Sequence, residues 1–214
     1  MRSLLAIGRV NCRLSNFAVR LERRTAKLVA ARGRGFYGGL ILAVLSGLLL
    51  APAAHGQTEI VLHSFDGQGG DGSRPFLVTL VLDKSGHLFG TTSLGGTHYL
   101  GRGGTVFEVT PSGTETVLHS FDASGDGCYP FATLILDSDG NLYGTTQQGG
   151  AYGNCYPSFK GCGTVFELTP SGNEIVLWSF GNGEDGKLPY CGLVFDTAGN
   201  LYGTTYEGGT YGGS

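Results

Sequence analysis

The chain has 214 residues, of which 39 are Gly and only 14% are charged, and its formal net charge is −3. That charge is unevenly divided: residues 1–56 hold nine Lys and Arg against a single acid, Glu22, whereas residues 57–214 hold five basic and sixteen acidic side chains, a balance near −11. An acidic surface without a basic stripe repels a polyanion, so nucleic acid is excluded as a partner and cationic partners are favoured. Low charge and abundant Gly would also suit a disordered chain. Here, however, the Gly residues fall between β-branched and aromatic runs, which makes them turns.

The first recognisable segment is residues 36–54, FYGGLILAVLSGLLLAPAA, uncharged and preceded by Arg32 and Arg34. Ala54 and Gly56 supply small residues at the −3 and −1 positions of a cleavage site before Gln57. Basic flank, short apolar core and small-residue exit read as a secretory signal, and the expected address is secreted or cell envelope. Its strongest apolar stretch, residues 40–50, is short for a span of about 20 residues. An uncleaved membrane anchor is the other reading, and through it alone would the chain meet a membrane. Met1 is the only Met, so an ordinary signal length would need a start codon other than AUG near Leu28 or Val29. Arg23-Arg24 matches a twin-Arg export motif only loosely.

From residue 59 onward one pattern recurs three times, over residues 59–114, 115–173 and 174–214. Each copy opens with EIVLHSF, ETVLHSF or EIVLWSF, then a Gly- and Asp-rich stretch and a Pro (Pro75, Pro130, Pro189). A second run, TLVLD, TLILD or GLVFD, ends at a polar turn. Leu-Phe/Tyr-Gly-Thr-Thr follows from Leu88, Leu142 and Leu201, and GTVFEVTP or GTVFELTP closes the first two copies. Runs of five to eight residues rich in Val, Ile, Thr, Tyr and Phe, bounded by Gly, Pro and Asp, are strand signals. No window keeps a helical apolar period, so no substantial helix is expected. Four strands per copy in a simple meander predict an all-β fold of β-propeller-type blades, two full and a third incomplete. Alternation along the first strand puts Val61, His63 and Phe65 on one face. His63, His119 and Trp178 share a position, which reads as a bulky planar group packed between blades, because imidazole chemistry would not accept Trp.

The strings VLHSF, LYGTT followed by Gly-Gly, and GTVFELTPSG together resemble the Gloeobacter/Verrucomicrobia-type tandem repeat, known as the GloVer repeat. The resemblance covers residues 59–214. It implies an exported bacterial β-propeller-type protein, carries no established catalytic residues, and often comes with a C-terminal sorting segment that this sequence lacks. Closed propellers need at least four blades, hence about 228 residues, and 158 follow residue 56. The chain is therefore expected to be a fragment of a longer protein, or to complete its ring by self-association.

In a meander the long loops share one end and the tight turns the other. Loops on a rigid scaffold are where recognition usually sits. Tyr99, Tyr152, Tyr156, Tyr206 and Tyr211, with His98, form the expected ligand face. They lie beside Asp71, Asp126, Glu184 and Asp185, and the expected ligand is carbohydrate or a cell-surface component. Tyr that merely pins Gly-rich loops is the blander reading. Cys128, Cys155, Cys162 and Cys191 follow the signal, and an even number in an exported chain suggests disulfides. Cys155 with Cys162 closes one loop, and Cys128 with Cys191 would staple the second copy to the third.

No catalytic, cofactor or metal signature is expected. No CxxC spacing supports zinc. Asp137-Ser138-Asp139-Gly140-Asn141 begins like a calcium loop but has Gln148 at position twelve, so a β-turn explains it. The Gly-rich runs lack a P-loop's Lys-Ser/Thr. Asp126 and Asp185 could be put forward as a glycosidase pair, but they occupy equivalent positions in successive copies, as does Asp71. The expected role is a noncatalytic extracellular binding or surface-structural module. The alternative is a polysaccharide-acting propeller hydrolase or lyase with its decisive residues elsewhere.

Overall fold

A computed structural model describes residues 19–22, 58–76, 79–98, 103–122, 125–155 and 160–210. Of the expected signal/export segment, residues 1–56, all but 19–22 lie outside the described residues. The described chain is all strand, turn and loop. In chain order the strands are β1 (Val19–Glu22), β2 (Thr58–Val61), β3 (Gly72–Ser73), β4 (Val81–Leu82), β5 (Leu88–Thr92), β6 (Leu94–Gly95), β7 (Thr105–Val109) and β8 (Glu115–Ser120). They continue with β9 (Ile135–Leu136), β10 (Leu142–Thr146), β11 (Thr164–Leu168), β12 (Glu174–Ser179), β13 (Gly186–Lys187), β14 (Val194–Phe195), β15 (Leu201–Tyr202) and β16 (Glu207–Gly208). No helix among the described residues is long and apolar enough to cross a membrane. β1 pairs with β2 in a two-stranded sheet.

Two four-stranded antiparallel sheets carry the rest, in the orders β4-β5-β7-β8 and β9-β10-β11-β12, and β14 with β15 repeats the first pair. The registers coincide. Gly90 faces Phe107 and Thr92 faces Thr105 in the first sheet, and Gly144 faces Phe166 and Thr146 faces Thr164 in the second. Each sheet takes its fourth strand from the start of the next copy, so it is out of phase with the repeats as written from residue 59. The Thr-Pro-Ser-Gly turns are the cause. Gly113 N–H bonds Thr110 C=O at 2.9 Å, and Gly172 N–H bonds Thr169 C=O at 2.9 Å. With φ of 91° and 83°, these glycines close turns so tight that the flanking strands must be neighbours. The long Gly- and Asp-rich stretch imposes no such pairing.

The polar turns before β5, β10 and β15 are held by one aspartate each. Asp137 accepts from the backbone N–H of Asp139 and Asn141 at 2.9 and 2.8 Å, and from the Tyr143 hydroxyl at 3.1 Å. Asp196 does the same with Ala198, Asn200 and Tyr202. The hydrogen bonds to Asn200 lead in holding the Asp196 carboxyl down at about 2. These carboxylates are occupied by the turn, which explains why Asp, Gly, Asn and Tyr recur together before β10 and β15.

Both sheets carry a bulge at one place. Val106 pairs with His119 but Phe107 with Val117, and Val165 pairs with Trp178 but Phe166 with Val176. One extra residue, Leu118 or Leu177, is inserted, so the strict alternation expected for this strand is broken. The core lies between the sheets. Val106 and Phe121, with Leu118 at the margin, pack against Leu134, Leu142, Phe166 and Leu168 of the following sheet. On the other face of the first sheet, Phe65 packs with Phe107 and Val109. The Phe of each VLHSF run thus seats on the Phe of the next GTVFE strand, Phe65 on Phe107 at 4.7 Å and Phe121 on Phe166 at 5.1 Å between ring centroids.

Candidate functional site

The long loops are tied together. β3 pairs with β6 and β13 with β16, and Cys128 bridges Gln148 in the middle copy. Every copy then makes one unusual turn. Arg74, Tyr129 and Leu188, each just before a Pro, adopt φ of 56°, 56° and 55°. A non-glycine residue there costs on the order of 1–2 kcal/mol and persists only where its surroundings enforce it. The enforcement is the same each time: the carbonyls of Arg74, Tyr129 and Leu188 accept from the N–H of Ser93, Gln147 and Tyr206, all at 3.1 Å.

After each Pro comes an aromatic residue: Phe76, Phe131, Tyr190. Phe76 meets Phe131 at 6.4 Å and Phe131 meets Tyr190 at 6.1 Å, and Tyr190 meets Tyr206 edge-on at 5.6 Å. Tyr129 stacks on Phe131 at 6.0 Å with 6° between the planes. One strained turn per copy therefore yields one continuous aromatic row. Its ends are open, Phe76 at 51% and Tyr206 at 70% exposure, with Tyr190 at 39%. Gln147 Nε2 donates to the Tyr190 hydroxyl. The row offers flat apolar faces with hydroxyls beside them, a surface suited to stacking on a ring that also takes hydrogen bonds.

Of the five expected ligand-face tyrosines, Tyr206 belongs to this row. Tyr152 is exposed and makes no ring contact among the described residues. Tyr99, Tyr156 and Tyr211 lie outside them. Phe131 and Tyr190 escaped the sequence reading, although a visible signal was present: an aromatic residue follows the Pro of every copy.

The loop aspartates are clamps. Asp71 accepts from Asp66 N–H at 2.8 Å, Asp126 from Asp122 N–H at 3.2 Å and Asp185 from Gly181 N–H at 2.9 Å. Each also faces the planar group of its own copy, although Trp178 is exposed at 53% and not packed away as expected. His119 Nε2 lies 3.1 Å from Asp126 Oδ2 and Trp178 Nε1 donates to Asp185 Oδ2 at 3.3 Å. An imidazole and an indole are interchangeable here because both present a ring N–H at the same edge.

Beside His119, burial pushes the Glu174 carboxyl from its ordinary 4.5 up to about 7. The His119 charge lowers it, and Asp126 and Asp122 raise it further. A carboxyl that ionises later in the fold than in the unfolded chain makes the folded state bind more protons. Its contribution is therefore most favourable below about 4.3 and is lost as pH rises towards 7. Thermal melts between these limits should show Glu174→Gln flattening the fall in stability. An unchanged slope would show that Glu174 is not the group.

Cys155 and Cys162 are joined. The expected staple between Cys128 and Cys191 is not formed: both thiols are free, the first buried and the second exposed. Cys128 is enclosed against Gln148 at the loop bridge, where burial pushes its thiol up to about 12. The Cys155–Cys162 bond closes a loop of seven residues' separation, and in the chain-entropy account Cys155→Ser should cost at most about 2.5 kcal/mol in urea unfolding. A loss well above that would mean the bond also holds native contacts.

A family model, the Gloeobacter/Verrucomicrobia repeat, matches residues 46–214. The chain belongs to that repeat family. No curated protein matches it significantly. Membership in the Gloeobacter/Verrucomicrobia repeat family accounts for the recurrence of the pre-Pro turn, the Asp clamp and the Gly-facing Phe. Each is a property of the repeat, so any surface they build grows by one increment per copy.

Proposed function

We propose that this is an exported, noncatalytic binding module whose two four-stranded sheets are blades of a β-propeller-type array, and that its aromatic row is the contact surface for carbohydrate at the cell envelope. The observation that carries the reading is the row itself: Phe76, Phe131, Tyr190 and Tyr206, aligned ring to ring yet open to solvent at both ends. Soluble chains seldom leave contiguous aromatic surface uncovered without a partner. The bonded Cys155–Cys162 pair suits an oxidising compartment. The charge near −11 after residue 56 favours neutral or cationic partners over polyanions. The sheets' shared register and face-to-face core are what adjoining blades require.

The test is a glycan array with the full chain and with the double variant Phe131→Ala, Tyr190→Ala. Each ring contact is worth about 0.5–1.5 kcal/mol, so the variant should lose roughly tenfold or more in affinity for any glycan the chain retains. Retention unchanged in the variant would remove the row as the contact surface.

A further inference from the structure

We propose that His63, Asp71 and Glu115 form a binding site for one divalent first-row metal ion, here probed as Zn²⁺ or Co²⁺. The three come from separate places: the VLHSF run of the first copy, the Gly- and Asp-rich loop after it, and the first residue of β8. His63 Nε2, Asp71 Oδ1 and Glu115 Oε1 are each buried and each lack a hydrogen-bond partner. One ligand atom of each residue lies within 4.8 Å of those of the other two. His63 Nε2 and Asp71 Oδ1 are 3.5 Å apart, without hydrogen-bond geometry. Three orphaned polar atoms on side chains that meet in one place is a costly arrangement for a protein to leave alone.

A cation at that point would satisfy all three. Metal bonds of about 2.1 Å in a tetrahedral site put ligand atoms about 3.4 Å apart, close to the His63–Asp71 spacing. One imidazole and two carboxylates suit a first-row divalent ion better than calcium, which takes oxygen ligands only. The surrounding groups are set for it. Asp71 Oδ2 already accepts from Asp66 N–H at 2.8 Å, which orients the carboxylate and leaves Oδ1 facing inward. Phe65 braces the His63 ring edge-on at 4.6 Å. A cavity of about 550 Å³, lined in part by Asp71, Glu115, Gln68, Thr97 and His98, would admit water to the remaining position.

The next copy supplies an internal comparison. There His119 Nε2 lies 3.1 Å from Asp126 Oδ2, and both oxygens of Asp126 take the Asp122 N–H. Of the three equivalent groups, His119, Asp126 and Glu174, only Glu174 keeps an orphaned atom. In the third copy Trp178 replaces the imidazole altogether. Among the described residues, the first junction alone therefore presents three open ligand atoms.

Calorimetric titration of the full chain with Zn²⁺, with Cys191 blocked by iodoacetamide, should give one equivalent bound. Titration with Co²⁺ should give a d–d absorption band. His63→Gln and Glu115→Gln should each weaken binding about tenfold or more. Circular dichroism of each variant establishes folding. If His63→Gln does not fold, the Glu115→Gln result decides together with the Zn²⁺-induced rise in melting temperature, which that variant should lack. No binding, or affinity equal in the wild type and the Glu115→Gln variant, overturns the proposal.

Discussion

Replacing Phe121 by alanine will cost the fold about 3–5 kcal/mol. The ring is 0% exposed. It follows β8 of the first sheet but sits among Leu134, Leu142, Phe166 and Leu168 of the second, so its loss opens a cavity at the one core the two sheets share. Leu142, Phe166 and Leu168 are strand residues fixed by ladder hydrogen bonds and collapse poorly into the gap, which puts the cost in the upper part of the range for such substitutions. Against a usual net stability of about 5–15 kcal/mol, a third or more of the total is at stake. Urea unfolding followed by tryptophan fluorescence and by circular dichroism would measure it. Trp178, the single Trp, lies in β12 and so reports the second sheet. A loss below about 1 kcal/mol, within the range of ordinary surface changes and mild core swaps, would show that the sheets do not depend on a common core.

Gly144→Val will destabilise by at least the 1–3 kcal/mol typical of overpacking, and for a reason unrelated to backbone freedom. Gly144 lies inside β10 with its φ in the ordinary strand region. A Cβ there would stand 2.6 Å from Phe166 Cζ and 2.8 Å from Leu134 Cδ2. The Phe166 ring lies across the glycine, and the space a side chain would need is the space the core aromatic fills. Gly90 under Phe107 and Leu80 repeats the arrangement at 2.7 and 2.8 Å. Gly125 is the control: its Cβ would meet nothing within 4 Å, so Gly125→Ala should change stability by less than about 0.5 kcal/mol. Equal melting temperatures for Gly144→Val and Gly125→Ala would refute this account of why glycine recurs within Leu-Tyr-Gly-Thr-Thr.

The two clusters of interest differ in how far they could be read in advance. Tyr206 and Tyr152 were identifiable as loop tyrosines on a strand scaffold. The row that contains Tyr206 was not, because Phe131 and Tyr190 stand 59 residues apart in sequence and 6.1 Å apart in space. Likewise His63 and Asp71 are near in sequence, whereas Glu115 begins a strand in the next copy and looks like any polar strand end. The Cys155–Cys162 pair lay within one loop and needed no tertiary information to suggest it. Cys128 and Cys191 were matched only by elimination, and the fold separates a buried thiol from an exposed one.

What the sequence determined by itself is local. Asp-x-x-Gly turns, Thr-Pro-Ser-Gly turns and short β-branched runs are settled by the conformational limits of a few adjacent residues, so the all-β class, the strand order within a meander and the repeat itself were open to reading. Tertiary structure decided everything that depends on how one copy meets the next. It set the phase of the sheets against the repeat, the bulge that breaks the alternation before His119, the Phe that covers a glycine across the sheet, and the convergence of His63, Asp71 and Glu115. The physical reason is that such contacts join residues distant in sequence, from 13 positions apart for Val106 and His119 to 52 for His63 and Glu115, and their geometry is set by packing twisted strands and sheets against one another, a condition that no single stretch of the chain encodes.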